Sequence, residues 1–353
     1  QFLPGPESRH GQLVARRAIA AWHCPALPHR STVTSSTPDE FEALHDQAYA
    51  DMECGALAEA AQAFEALAAH MPDNRHYHYM LGLARKYQRD WQPSLEHNLR
   101  AIALAGEDDE ASLWNGAIAA TALSDWTTAR RLWKACGIQV PGEQGPIEGD
   151  YGVAVVRLHP WQGGETVFMR RIDPVRAQLL NVPLPESGHR FGDIVLHDGA
   201  STGQRLNGQR EVPVFNELQR LEPSAFQTFV VFITCANAQD LQELLGAQAP
   251  GIGYAEDWTA SIRHYCMRCS YGTPHQHVEE ASPPEGEPSW QTDRNLGIAA
   301  VDRAAVDALL NAWQAGGAGR RIDAVQTREL PVPDEEESWA WWVGPEGAED
   351  EAP

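Results

Sequence analysis

The chain has 353 residues and a formal net charge of −22, from 49 acids against 27 bases. That length is too great for one small core and suits two to three domains, and a hydrophobic content of 43 % excludes wholesale disorder. There is no basic stripe for a nucleic-acid backbone and no apolar run near the ~18 residues of a transmembrane helix, so an acidic surface with a basic protein partner is the better expectation.

The charge is uneven. Residues 1–38 carry four arginines against one glutamate, a net of +3, whereas residues 331–353 carry eight acids and no base. Removing both ends leaves −17 on residues 39–330. The first 38 residues are rich in Pro, Arg, Ser and Thr and lack the apolar core of a signal peptide. They are expected to form a flexible leader, with a faint transit-peptide character.

An internal repeat runs through residues 39–142. Leu44 to Pro72 shows two amphipathic helices broken at Gly55, and Ala60, Phe64, Leu67 and Pro72 follow at spacings of 4, 3 and 5. The next unit holds Leu81-Gly82, Tyr87, Ser94 and Ala101. The third holds Ala117, Asp125, Ala129, Trp133, Cys136 and Pro141, again at 4, 3 and 5 after Ala129. Small residues fall where paired helices approach, an aromatic fills the next gap, and proline ends the second helix. In this the segment resembles the tetratricopeptide (TPR) repeat, a helical hairpin of about 34 residues. The repeats would start near Phe41, Arg75 and Glu110, the second with one extra residue.

The resemblance implies an α-solenoid, because one hairpin cannot bury its own apolar face. It also implies a groove lined by Glu42, His45, Tyr49, His76, Tyr79, Lys86 and Trp114. The Lys/Asn carboxylate clamp of the chaperone-tail class is not matched: His45, Tyr49, Ala111 and Asn115 stand there. The alternative for these aromatics is packing against a neighbouring domain.

Residues 141–150 read as a linker. A β-rich domain follows over 150–225, with strands expected at Tyr151–Leu158, Glu165–Ile172, Phe191–His197 and Glu211–Phe215, and a loop from Gly199 to Gln209. Asp193, His197 and Asp198 read as polar strand-end residues.

Residues 226–330 alternate differently. Thr228–Cys235 is a continuous apolar run, as in a central strand covered on both faces. Asn237 caps a helix with a Leu241, Leu244, Leu245 stripe. Trp258–Cys266 alternates as a strand, and Asn295–Val301 is a further one. Asp302 caps a helix carrying Val306, Leu309, Leu310 and Trp313, and Arg321–Thr327 can close the set. The order β-α-β-β-α-β is that of a ferredoxin-like sandwich, so the expected class is α+β multidomain.

The connection spanning 266–291 holds CMRCSYGTPHQH. Cys266 and Cys269 have the gap of a zinc knuckle, and His275 and His277 point the same way on an extended segment. Two thiolates and two imidazoles are a tetrahedral Zn²⁺ set, closed to water and therefore structural. A redox CxxC and unligated residues are the alternatives. The other four cysteines are scattered, which excludes a disulfide framework and points to a reducing, cytoplasmic compartment.

The acidic tail at 331–353 contains Trp339, Trp341 and Trp342, which either dock on the folded body or form a binding motif. The function expected from these features is a non-enzymatic interaction adaptor with a structural zinc site. An immunity or inhibitor protein neutralising a basic toxin, and a zinc hydrolase using Glu279 or Glu280, are the alternatives. RNA recognition lacks the aromatic and basic sheet signature.

Overall fold

A computed structural model describes residues 38–105, 109–160, 165–259 and 290–327. The chain divides after Gly149 into two compact units. The first is helical. Its elements are α1 (Pro38–Cys54), α2 (Leu57–His70), α3 (Arg75–Tyr87), α4 (Trp91–Ala105), α5 (Glu110–Ala122) and α6 (Trp126–Ala135).

Local chemistry sets these boundaries. The side chains of Asn74, Asp109 and Asp125 accept hydrogen bonds from the amides of His76, Ser112 and Thr128 at 3.0, 3.1 and 3.1 Å, capping α3, α5 and α6. The first helix of each pair ends on a left-handed residue, Gly55, Arg89 or Ser124, at φ of 79°, 62° and 58°. The following amides, of Ala56, Asp90 and Asp125, reach back to the carbonyls of Asp51, Arg85 and Ala120 at 2.8, 2.9 and 2.9 Å. This is a Schellman ending used three times, and it turns the chain directly into the next helix.

The hairpins close on small side chains. Ala60, Ser94 and Ala129 are fully buried. Ser94 Oγ donates to the Gly82 carbonyl at 2.8 Å, and a Cβ on Gly82 would meet Asn98 Nδ2 at 2.6 Å, so α3 and α4 are nearly in backbone contact. Asn98 holds the place that Phe64 and Trp133 hold in the other hairpins, and its amide is tied to the Ser94 carbonyl at 2.8 Å. Residues 141–146, expected as a linker, wrap around Arg130. Its guanidinium donates to the carbonyls of Pro141, Gly142, Gln144, Gly145 and Pro146.

The second unit begins with a closed barrel of β1 (Val153–Arg157), β2 (Thr166–Arg171), β3 (Arg176–Leu179), β4 (Ile194–Asn207) and β5 (Arg210–Glu222). Neighbours are antiparallel except β1 and β5, which close the barrel in parallel through pairs such as Val155 with Val214. Ala154, Val156, Leu158, Val167, Met169, Leu179, Val195 and Phe215 fill it.

Two expectations change here. The segment from Gly199 to Gln209 is not a loop: β4 continues to Asn207, pairing with β5 through register shifts around Ser201 and Gly203. Bulges absorb the glycines while the ladder persists. The short strand β3 also has no counterpart in the sequence reading. It is held by a buried Asp173, whose carboxylate accepts the amides of Val175 and Arg176 and pairs with the Arg176 guanidinium at 2.5 Å.

The second sheet contains β6 (Gln227–Thr234), β7 (Ile252–Asp257), β8 (Asp293–Ala300) and β9 (Arg321–Thr327), with α7 (Ala238–Leu245) and α8 (Arg303–Ala315). Its order is β7-β8-β6-β9, with every neighbour antiparallel. Leu241, Leu244, Val306, Leu309, Leu310 and Trp313 pack from the helices onto Phe229, Val231, Ile233, Leu296 and Ile298. β6 is central as expected, but only this face is fully buried, and Val230 and Phe232 remain half-buried.

A strand not expected from the sequence lies at Ile252–Asp257, whereas of the expected strand Trp258–Cys266 only Trp258 and Thr259 are among the described residues, and these two are not in a strand. Trp258 instead lies across β8 at Gly297, where a Cβ would sit 2.2 Å from its ring. An alternation that runs through a bulky ring does not reveal that the ring must lie flat on a neighbouring strand. Among the described residues no helix is long and apolar enough to cross a membrane.

Candidate functional site

Among the described residues, a buried cluster of two histidines and a glutamate lies at one end of the barrel. His159 follows β1, His189 follows a 3₁₀ turn (Pro185–Ser187), and Glu217 sits within β5. Their exposures are 5 %, 1 % and 1 %. The donor atoms of the three lie within 4.8 Å of one another, and together they could hold a metal ion.

Glu217 joins the parts. One carboxylate oxygen accepts the His159 amide at 3.1 Å, and the other lies 2.5 Å from His189 Nε2. The Ser187 carbonyl lies 2.7 Å from His159 Nε2 and 3.1 Å from His189 Nδ1. A carbonyl only accepts, so both nitrogens carry protons. His159 has a left-handed backbone at φ 47°, uncommon for a side chain of this size. Such a conformation persists where its surroundings over-determine it, here through the hydrogen bonds at its amide and ring.

Burial pushes the Glu217 carboxyl up, but the charge and hydrogen bond of His189 more than offset this and hold it below the usual range. Burial likewise lowers His189, and Glu217 raises it beyond its ordinary value. Each group thus favours the charged form of the other. The barrel's other buried histidine, His197, differs. Its Nδ1 accepts the Gly199 amide at 3.1 Å, and burial holds its pKa well below the ordinary value, assisted by Arg171. It stays neutral.

Two further carboxylates lie beside the 181–184 segment. Glu165 accepts the Leu184 amide, and Glu256 of β7 accepts the Val182 amide and the Asn181 side chain, each at 3.0 Å. Burial pushes Glu165 up to about 7, with the Glu256 charge adding to it, and burial raises Glu256 as well. Asp193, read from sequence as a strand-end residue, is fully buried. It accepts the amides of Arg190 and Ser224 at 2.9 and 2.7 Å and the Arg220 guanidinium at 3.4 Å.

The residues expected to line a groove lie on α1, α3 and α5. Glu42 and His76 are exposed. His45 Nδ1 is 3.0 Å from the Tyr77 hydroxyl and its ring lies against Tyr49, which meets Phe64 edge-on. Tyr79 is half-buried. Lys86 is only 2 % exposed, and its ammonium donates to Asn115 Oδ1 at 3.1 Å and lies 4.2 Å from the Tyr87 ring. Trp114 packs edge-on against Trp133. Several of these aromatics thus pack within the helical unit itself.

Cys266, Cys269, His275 and His277 lie outside the described residues, as do Trp339, Trp341 and Trp342. The barrel cluster was missed because its members are 30 and 28 residues apart, on a turn, a loop and a strand, with no local spacing to mark them. His159 and His189 stand in proline- and glycine-containing turns and Glu217 in a mixed polar and apolar strand, so no signal in the sequence joins the three. No protein-family model matches the chain, and no match among curated proteins is found.

Proposed function

We propose that the chain is a protein-interaction protein whose helical unit is a tetratricopeptide-type solenoid, with its first-of-pair helices facing a partner. One observation carries this reading. The left-handed helix ends at Gly55, Arg89 and Ser124 recur at 34 and 35 residues. The buried small residues Ala60, Ser94 and Ala129 recur at the same two intervals. A repeated ending and a repeated close approach are what stacked, equivalent hairpins require.

The partner is a basic protein, matched to the −17 carried by residues 39–330. In the second unit, the β-α-β-β-α-β order and the strand order β7-β8-β6-β9 support a ferredoxin-like sandwich. The Cys266, Cys269, His275, His277 set is its structural Zn²⁺ site.

The experiment is photo-crosslinking from Glu42 and His76, whose exposure lets them be replaced without disturbing the core. The expected result is one basic protein captured at both positions, with capture from position 76 weakened by salt and abolished by Glu42→Lys. Capture indifferent to that substitution, or different at the two positions, would refute the reading.

A further inference from the structure

We infer that His159, His189 and Glu217 bind one divalent transition-metal ion of the zinc class, separate from the Cys/His connection and independent of the interaction reading above. The donor set is two imidazoles and one carboxylate. Nitrogen-rich sets of this kind suit Zn²⁺, Co²⁺, Ni²⁺ and Fe²⁺, whereas Ca²⁺ and Mg²⁺ prefer oxygen alone.

The geometry is close to what such an ion needs. Bonds of ~2.0–2.2 Å in a tetrahedron place ligand atoms about 3.3–3.6 Å apart. One ligand atom from each of the three residues already lies within 4.8 Å of the others, and His189 Nε2 and Glu217 Oε1 are 2.5 Å apart.

The surrounding shell is the stronger argument. Ser187 offers a single carbonyl to one ring nitrogen of each histidine, His159 Nε2 and His189 Nδ1. In the neutral rings this leaves the lone pairs on His159 Nδ1 and His189 Nε2. Metal-binding histidines are commonly held this way, with the second N–H given to a backbone carbonyl so that ring and tautomer are set. One carbonyl orienting two imidazoles beside a carboxylate is more than an ion pair between His189 and Glu217 demands.

The backbone supports the same conclusion. His159 adopts its left-handed conformation at φ 47° while its amide is held by Glu217. The ion would tie the end of β1, the 185–189 turn and β5 at the barrel's parallel seam. Three protein ligands leave further coordination positions for water or a small anion, unlike the closed four-ligand set expected at the Cys/His connection.

The test uses the full chain carrying Cys266→Ser and Cys269→Ser, stripped with chelator and titrated with Co²⁺. The expected result is one equivalent bound, with visible d–d absorption and no thiolate charge-transfer band. Two slowly exchanging, hyperfine-shifted imidazole N–H resonances should appear, one for each ring held by Ser187. Adding Glu217→Gln should weaken Co²⁺ binding by about 100-fold or more. Absence of Co²⁺ uptake in a folded double variant would overturn the proposal and leave the cluster as an ion pair, as would a parent chain whose bound Co²⁺ shows only the thiolate-ligated spectrum. So would uptake without shifted imidazole resonances, a readout that needs no change at the cluster. Unaltered uptake in a folded Glu217→Gln protein would overturn it too.

Discussion

Gly82→Ala tests the helix packing on which the repeat reading depends. In an open helix this change stabilises by about 1 kcal/mol, because glycine has the greater backbone freedom to lose. At Gly82 the new methyl carbon would lie 2.6 Å from Asn98 Nδ2, 3.0 Å from its Cγ and 3.2 Å from its backbone nitrogen. The amide could swing away only by giving up its 2.8 Å bond to the Ser94 carbonyl, a loss of about 1 kcal/mol. The backbone nitrogen cannot move without parting α3 from α4. Overpacking of this kind costs about 1–3 kcal/mol, so the net expectation is destabilisation by about 1–2 kcal/mol.

Gly116→Ala is the control. Its nearest neighbours are Leu132 Cδ1 at 3.3 Å and Asn98 Cβ at 3.4 Å, and the leucine tip can yield. That change should range from neutral to stabilising by about 1 kcal/mol. Removing the Asn98 amide should restore part of the loss, making Gly82→Ala/Asn98→Ala more stable than additive single changes predict. The assay is amide hydrogen exchange on α3 and α4, which reads this hairpin's own opening rather than global unfolding of a two-unit chain. Slower exchange in Gly82→Ala than in the parent would show that the two helices are not in close contact, and the solenoid argument would fail with it.

Three other predictions concern the second unit. The Glu165 carboxyl is raised to about 7 from an ordinary 4.5, so between those values the folded protein holds more protons than the unfolded one. Stability should therefore fall as pH rises through that window. Glu165→Gln, which still accepts the Leu184 amide, should flatten the profile and gain about 1–3 kcal/mol at pH 8, checked by urea unfolding at pH 5 and 8. Asp193→Ala should cost about 2–4 kcal/mol, because two amides and the Arg220 guanidinium lose a fully buried acceptor; a thermal melt matching the parent's would contradict that. Gly297→Ala should displace the Trp258 ring, 2.2 Å from the new methyl, costing about 1–3 kcal/mol or more and shifting tryptophan emission to the red.

The sequence by itself determined what depends on neighbours along the chain. Helical pairing in the first third could be read because Ala60, Ser94 and Ala129 recur at the repeat spacing and mark each close approach. The alternation of strands and helices after residue 226 was legible from the run at Thr228–Cys235 and the caps Asn237 and Asp302. These signals have periods of a few residues and survive without tertiary context.

What only the tertiary structure decided depends on residues that meet from a distance. β4 extends through glycines because β5 resumes pairing beyond each register shift, and the Ile252–Asp257 strand stops beside Trp258, whose ring covers Gly297. The barrel cluster is the clearest case. His159, His189 and Glu217 converge because closing β1 against β5 brings a strand end, a turn and a mid-strand position to one place. Ring closure is a property of five strands together, and no local periodicity encodes it.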